Sequence, residues 1–308
     1  MSTTDSRPPV VSPRPGETLR TVAIGGQLIR VAVRPARRGL PGLPGLHRGH
    51  SQRSRPPRTP LLLINGIGAS LELLQPFVDE VDPALEVIRF DVPGVGGSPL
   101  PVAPYRFTGL CRLIGALLTE LGHDRADVLG ISWGGAVAQH FAAFQRARCR
   151  KLVLVGTATG AIMVPARPSV LARMATPRRY TDRGYLGQVA GDLYGGSART
   201  DPGRVTAAMN AHNRVGSSRG YLYQLTAGLG WTSVPFLPML RQPTLVLSGN
   251  DDPIIPVANA RLMHRLIPDS TLHIYAGGHL ALVTEAAELA PVVSRFLALP
   301  MSSGPLPR

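Results

Sequence analysis

The 308-residue chain has two cysteines, one lysine and few aromatic residues. Two cysteines, Cys111 and Cys149, cannot build a disulfide framework, and neither sits at metal-ligand spacing. Both read as free, semi-buried thiols behaving as small hydrophobes. Long apolar runs are also missing. Stretches such as 61–64 and 152–155 fall far short of the roughly 18 to 20 residues that a membrane-spanning helix needs. The first twenty residues are polar and proline-rich, without the apolar centre of a secretory signal, so a cytoplasmic location is expected. Acidic residues are scarce too: 19 Asp and Glu face 33 Lys and Arg, a formal charge of +14.

That charge would suggest a nucleic-acid or anionic-membrane partner if it covered the folded body. It is concentrated instead. Residues 1–58 hold eleven arginines against Asp5 and Glu17, so they account for +9 of the total. Lys151 is the sole lysine, and basic and aromatic residues do not interleave as single-strand binding requires. No nucleic-acid partner is expected.

Hydrophobic residues make up 44% of the chain, enough for a substantial core. Residues 1–18 read as a disordered tail, as do 299–308. Two β-branched runs, 19–24 and 27–33, flank Gly25-Gly26, which suits a tight hairpin. Residues 34–58 are so rich in Pro, Gly and Arg that a basic flexible insertion is expected. From Thr59 onward short apolar strands alternate with helical stretches, the signature of βαβ units and a parallel sheet. Strands are expected at 60–65, 86–91, 126–131, 151–156, 243–248 and 271–275. Helices are expected at 70–81, 106–121, 134–147, 256–266 and 284–297. The interval 157–242 is too long for one crossover and carries helical patches and many aromatics, so it reads as a lid or cap over a catalytic core of 19–156 and 243–298.

The strongest local signal is Gly130-Ile131-Ser132-Trp133-Gly134, a G-x-S-x-G between an apolar strand and a helix. A serine on so sharp a turn projects its hydroxyl above the sheet, and the glycines relieve the crowding. A hydroxyl is a weak nucleophile; it needs a base, and the base needs an orienting group. In this arrangement the order is Ser, then Asp or Glu, then His. The sequence supplies it. A strand leads into Ser248-Gly249-Asn250-Asp251-Asp252-Pro253, and Gly277-Gly278-His279 follows the next strand. Pro253 biases Asp252 to an extended conformation, which favours it over Asp251. His279 is preferred by position; His264 and His273 read as structural, His140 as core-facing or exposed, and His47, His50, His123 and His212 as lacking a nameable partner.

Acyl transfer builds negative charge on a tetrahedral oxygen, which backbone N–H groups must receive. One donor is expected from Trp133, directly after the nucleophile. The other is expected from Asn65-Gly66-Ile67-Gly68, at Ile67. The loop Asp91-Val92-Pro93-Gly94-Val95-Gly96-Gly97-Ser98 has glycine spacing but opens no helix and has no P-loop lysine, so it reads as a structural turn.

Together the glycine loop, the DxPGxGGS turn, the GxSxG elbow, and the GxxDP and GGH segments resemble the α/β-hydrolase superfamily over roughly 19–298. A narrower resemblance rests on PLLLINGIGASLELLQPFV, FDVPGVGGSP, YRFTGL, VLGISWGGAVAQ, MVPARPSVL, AGLGWTS and RQPTLVLSGNDDPIIP. These are similar to intracellular poly(3-hydroxyalkanoate) depolymerases of the medium-chain-length type. Many hydrolases of the fold have His where Asn65 stands, whereas these depolymerases share Asn-Gly. The resemblance implies an α/β fold with a mostly parallel sheet and a helical lid between strands 6 and 7. It also implies a serine esterase with Ser132, Asp252 and His279 as triad, no metal or cofactor, and a polyester granule or other lipophilic ester as partner. A small-ester or lactone hydrolase, a cofactor-free perhydrolase, and a catalytically silent granule-binding protein are the alternatives. Oligomeric state is not specified.

Overall fold

The structure is a computed structural model that describes residues 14, 16–37, 58–214 and 216–301. Eight strands form one sheet: β1 Thr18–Ile24, β2 Gln27–Arg34, β3 Leu61–Ile64, β4 Val87–Phe90, β5 Ala126–Ile131, β6 Cys149–Val155, β7 Thr244–Gly249 and β8 Ser270–Tyr275. Their order is β1-β2-β4-β3-β5-β6-β7-β8. β1, β2 and β4 pair antiparallel, and every other pairing is parallel. The β1–β2 turn uses Gly25 and Gly26 at φ 54° and 83°, the positive values that a two-residue hairpin loop demands. The 38–57 part of the expected basic insertion lies outside the described residues, as do most of both expected tails.

The helices on the sheet are α1 Gln75–Glu80, α2 Phe107–Glu120 and α3 Trp133–Phe144. Between β6 and β7 run α4 Pro168–Met174, α5 Arg178–Thr181, α6 Arg183–Tyr194, α7 Ser197–Thr200, α8 Pro202–His212 and α9 Ser218–Ala227. α10 Ala258–Leu266, α11 Ala281–Thr284 and α12 Ala286–Ala298 complete the chain. One expected helix divides and another starts two residues late. The one at 70–81 becomes a 3₁₀ turn, Leu71–Leu74, followed by α1 with Pro76 in its first turn. The one at 284–297 is preceded by the separate turn α11, with Glu285 leaving helical geometry between them.

Period-two side-chain alternation with both faces covered explains why the strands read as continuous apolar runs. Leu61 and Leu63 enter the core shared with α1, α12 and α6, while Leu62 and Ile64 enter the core shared with α2, α3 and α10. Lys151 is buried under the end of α12, where its ammonium donates to the carbonyls of Phe296 (2.8 Å), Leu297 (3.2 Å) and Leu299 (2.6 Å). It thereby satisfies carbonyls that a helix end leaves without intrahelical partners.

The loop 91–98 is a strut. Asp91 accepts from the backbone N–H of Leu71 (2.7 Å) and Gly97 (2.8 Å) and pairs with Arg30 (3.0 Å), which also pairs with Glu72. Burial pushes the Asp91 carboxyl up to about 6. The site is fixed by topology: the connection from β3 leaves to one side and that from β5 to the other, which opens a crevice at their carboxyl ends.

Candidate active site

Ser132 stands in that crevice, at the junction of β5 and α3, with φ 54° and ψ −120°. Among the described residues it alone combines a side chain with positive φ, a conformation costing on the order of 1–3 kcal/mol that surrounding contacts must hold. Those contacts are visible. The Ser132 N–H donates to the Val155 carbonyl (2.9 Å), and the Ser132 carbonyl accepts from Thr157 Oγ1 (2.7 Å) and the Gly135 N–H (2.9 Å). The elbow also needs its glycines. A Cβ on Gly134 would intrude on the carbonyls of Ile64 and Asn65, and one on Gly130 would intrude on the Gly134 carbonyl.

β7 and β8 bring the other two predicted residues together. His279 Nδ1 lies 2.7 Å from Asp252 Oδ2, and both side chains are buried. The other carboxylate oxygen of Asp252 accepts from the backbone N–H of Ile254 and Ile255, each at 2.9 Å, which fixes its rotamer. The His279 N–H donates to the Tyr194 carbonyl (2.7 Å), so the end of α6 positions the histidine loop. Gly156, at φ 48°, packs beneath the pair: a Cβ there would lie 3.3 Å from both Asp252 Oδ2 and His279 Nδ1. His279 and Ser132 line the same cavity.

Asn65 shapes the neighbouring loop by donating from Nδ2 to the Ser70 carbonyl (2.6 Å) and accepting the Gly66 N–H at Oδ1 (3.0 Å). This loop abuts the serine, since a Cβ on Gly66 would sit 3.6 Å from Ser132 Cβ. Ile67 lines the cavity with Ser132. Trp133 opens α3, so its N–H belongs to the first turn, which has no intrahelical acceptor.

Two features were not legible in the sequence. Gln224, buried on α9, accepts the Gly68 N–H at Oε1 (2.7 Å) and the indole N–H of Trp133 at its backbone carbonyl (2.8 Å), so it spans the two expected oxyanion segments. Arg179, on α5, is 2% exposed and reaches the same cavity. Its guanidinium donates to Tyr221 Oη (2.8 Å) and the Ile67 carbonyl (3.5 Å) and stacks over Tyr180 at 4.5 Å. The nearest sequence signal was the run of tyrosines in 157–242, which surrounds this arginine.

The cavity measures about 30 Å³ and is lined by Asn65, Ile67, Ser132, Met174, Tyr180 and Leu280 among others. That is room for a few waters, against the roughly 300–1,000 Å³ of ordinary ligand pockets. A larger cleft of about 410 Å³ lies between Arg14, Arg34 and Asp79, remote from Ser132.

The remaining histidines and cysteines are placed as follows. His140 is buried among Phe107, Phe144, Trp231 and Phe236, accepting from the Trp231 indole at Nδ1 (3.1 Å) and facing Thr108 Oγ1 at Nε2 (3.2 Å). Burial lowers its pKa from the usual 6.5. His123 has a partner after all, Glu86 at 2.7 Å, and His264 meets Ser270 at 2.9 Å. His47 and His50 lie outside the described residues. Cys111 and Cys149 are free and fully rather than partly buried, and burial raises both thiols.

A family model described as alpha/beta hydrolase fold matches residues 59–286. The chain is 49% identical over 278 residues to a poly(3-hydroxyalkanoate) depolymerase of Ectopseudomonas oleovorans, covering 90% of this chain and 92% of that one. Among solved structures, an enol-lactonase from Burkholderia xenovorans superposes with a TM-score of 0.73 at 21% identity, covering 91% of this chain and all of the other. A hydrolase from Pseudomonas aeruginosa gives 0.72 at 22% identity, covering 91% and 98%. These structural likenesses concern the fold. With the sheet order, the elbow and the matched span in agreement, the chain belongs to the α/β-hydrolase fold family.

Proposed function

We propose that the protein is a carboxylic ester hydrolase that degrades poly(3-hydroxyalkanoate), releasing 3-hydroxy acids. The observation carrying this reading is the 49% identity to a depolymerase sustained over nine-tenths of the chain, which includes the divergent interval between β6 and β7. In this reading Ser132 Oγ attacks the ester carbonyl while His279 takes its proton. Asp252, held by two backbone N–H groups, keeps Nδ1 of His279 protonated and stabilises the imidazolium. The N–H groups of Ile67 and Trp133 receive the oxyanion, a contribution of roughly 3 to 4 kcal/mol each. The departing alcohol takes the proton back, and water then hydrolyses the acyl-enzyme on Ser132.

The helices of 157–242 act as a lid that must open, because the 30 Å³ cavity cannot hold a hydroxyacyl chain. No helix among the described residues is long and apolar enough to cross a membrane. A cytoplasmic enzyme working at the surface of polyester granules fits this reading.

The test is to incubate purified protein and its Ser132→Ala variant with medium-chain and short-chain polyhydroxyalkanoate suspensions and identify released acids by mass spectrometry. Release of medium-chain 3-hydroxy acids by the wild type alone is expected. Hydrolysis of small esters with no polymer cleared would move the substrate to a soluble ester or lactone. A Ser132 unreactive toward a fluorophosphonate would point to a silent binding protein.

A further inference from the structure

Arg179 is a buried cation without a carboxylate within 4 Å among the described residues. Removing a guanidinium from water is costly unless an anion or a full set of acceptors compensates it. Here compensation is incomplete. Nη1 and Nη2 reach the Tyr221 hydroxyl and the carbonyls of Thr176 and Ile67, but Nε is buried with no hydrogen-bond partner. The hydroxyl of Tyr194, also 2% exposed, is buried with no hydrogen bond within 3.5 Å and faces the Arg179 guanidinium. The other two tyrosines around the guanidinium are engaged: Tyr180 donates to the Ile67 carbonyl (2.8 Å) and Tyr221 to the Met174 carbonyl. Arg179 and Tyr194 both line the cavity that holds Ser132 and His279.

We propose that Arg179 and Tyr194 form a carboxylate-binding subsite beside Ser132, which takes the free carboxyl end of a 3-hydroxyacyl chain. Two unused donors and an uncompensated positive charge match an anion with several acceptor sites, and a neutral ester carbonyl would leave the charge unanswered. A polyester of 3-hydroxy acids carries one carboxylate, at its end, three bonds from the last ester oxygen. That short separation suits a subsite on the wall of the cavity that Ser132 lines, once the lid has opened to admit the chain end. The step balances as ordinary hydrolysis. Ser132 Oγ bonds to the last ester carbonyl carbon, the C–O bond to the terminal unit breaks, and that unit leaves as a 3-hydroxy acid carrying the proton from His279. Water then frees the acyl chain from Ser132 with a new carboxylate at its end, ready for the next cycle. The enzyme thus shortens chains from the carboxyl end, one acid per turnover.

This inference rests on the ester-hydrolase reading, and the substrates are chosen to separate the two. Wild-type kcat/KM is measured on the soluble dimer of 3-hydroxyoctanoate with a free carboxyl end and on the same dimer ending in a carboxamide. A preference of at least tenfold for the acid is expected. Arg179→Gln should bring that ratio close to one, mainly through KM for the acid, while Arg179→Lys should retain part of it. Tyr194→Phe, which removes an unpartnered hydroxyl and keeps the ring, should lower the ratio severalfold and covers the case in which Arg179 variants fail to fold. Equal rates on both dimers in the wild type, or a ratio unmoved in Arg179→Gln, would overturn the subsite and leave ester hydrolysis standing. Cleavage of neither dimer would overturn the subsite, and ester hydrolysis would fall with it only if the polymer suspensions and small esters also stayed intact.

Discussion

Asp251 and Asp252, adjacent in the chain, turn to opposite tasks. Asp252 faces inward to His279 at 2.7 Å, while Asp251 accepts the Gly196 N–H (2.8 Å) and two nitrogens of Arg199 (2.6 and 3.0 Å), clasping α7 to the end of β7. The Arg199 guanidinium holds the Asp251 carboxyl below its usual range. One carboxylate serves the histidine and the other anchors the interval between β6 and β7.

The pair can be separated by substitution. Asp252→Asn should lower kcat by about four orders of magnitude, since an amide no longer holds the histidine tautomer and cannot stabilise an imidazolium. Asp251→Asn should leave kcat within about tenfold and act mainly on KM, because it loosens the segment over the cavity. Steady-state kinetics on a soluble ester distinguishes them, and equal losses would mean the assignment is wrong.

Gln224 offers a second test. Gln224→Leu keeps the volume but removes the acceptor for the Gly68 N–H, leaving the loop beside Ser132 without its tether. A fall in kcat of about tenfold with KM nearly constant is expected, because the donors it positions matter most when the oxyanion forms. A pure loss of thermal stability with unchanged kcat would assign Gln224 to packing alone.

Gly134→Ala should be among the most disruptive single-methyl additions in the chain. The new Cβ meets the backbone oxygens of Ile64, the last residue of β3, and of Asn65, directly after it, where the backbone cannot yield cheaply. A loss of about 3 kcal/mol or more in unfolding free energy is expected by denaturant titration, with activity lost alongside.

His140 gives the fold a pH dependence with a defined sign. Its ring accepts the Trp231 indole N–H, so Nδ1 must be unprotonated, and burial lowers the pKa below 6.5. The unfolded chain therefore takes up a proton at a higher pH than the folded one. The stability contributed by this residue is full above about pH 6.5 and declines as pH falls through the folded value. His140→Gln should flatten this component: thermal unfolding of both proteins from pH 7.5 to 5 should converge at the acid end. A constant difference across that range would contradict the assignment.

Much of this architecture is written locally. Gly130 to Gly134 define the elbow within five residues, because strand, strained turn and helix are each set by neighbours along the chain. The paired glycines at 25 and 26 fix the hairpin for the same reason, and the alternation of apolar runs with helical stretches gives the parallel sheet. Element ends are less legible: the helical period expected over 70–81 breaks into a 3₁₀ turn and a helix with Pro76 in its first turn, and the turn at 281–284 is not among the expected elements.

Tertiary structure decided what depends on residues far apart in sequence. Gln224 meets Gly68 from 156 positions away, Arg179 meets Ile67 from 112, and Asp252 is chosen over Asp251 by where His279 arrives. Nothing near Arg179 in sequence says that it will line the same cavity as Ser132, because α5 is four residues long and lacks a hydrophobic period of its own. Its burial follows from the packing of Tyr180, Tyr194 and Tyr221 around it. The strained geometry of Ser132 is thus set by a short strand-turn-helix segment, whereas the groups that line its cavity come from distant segments joined only when the sheet and the 157–242 interval close on one another.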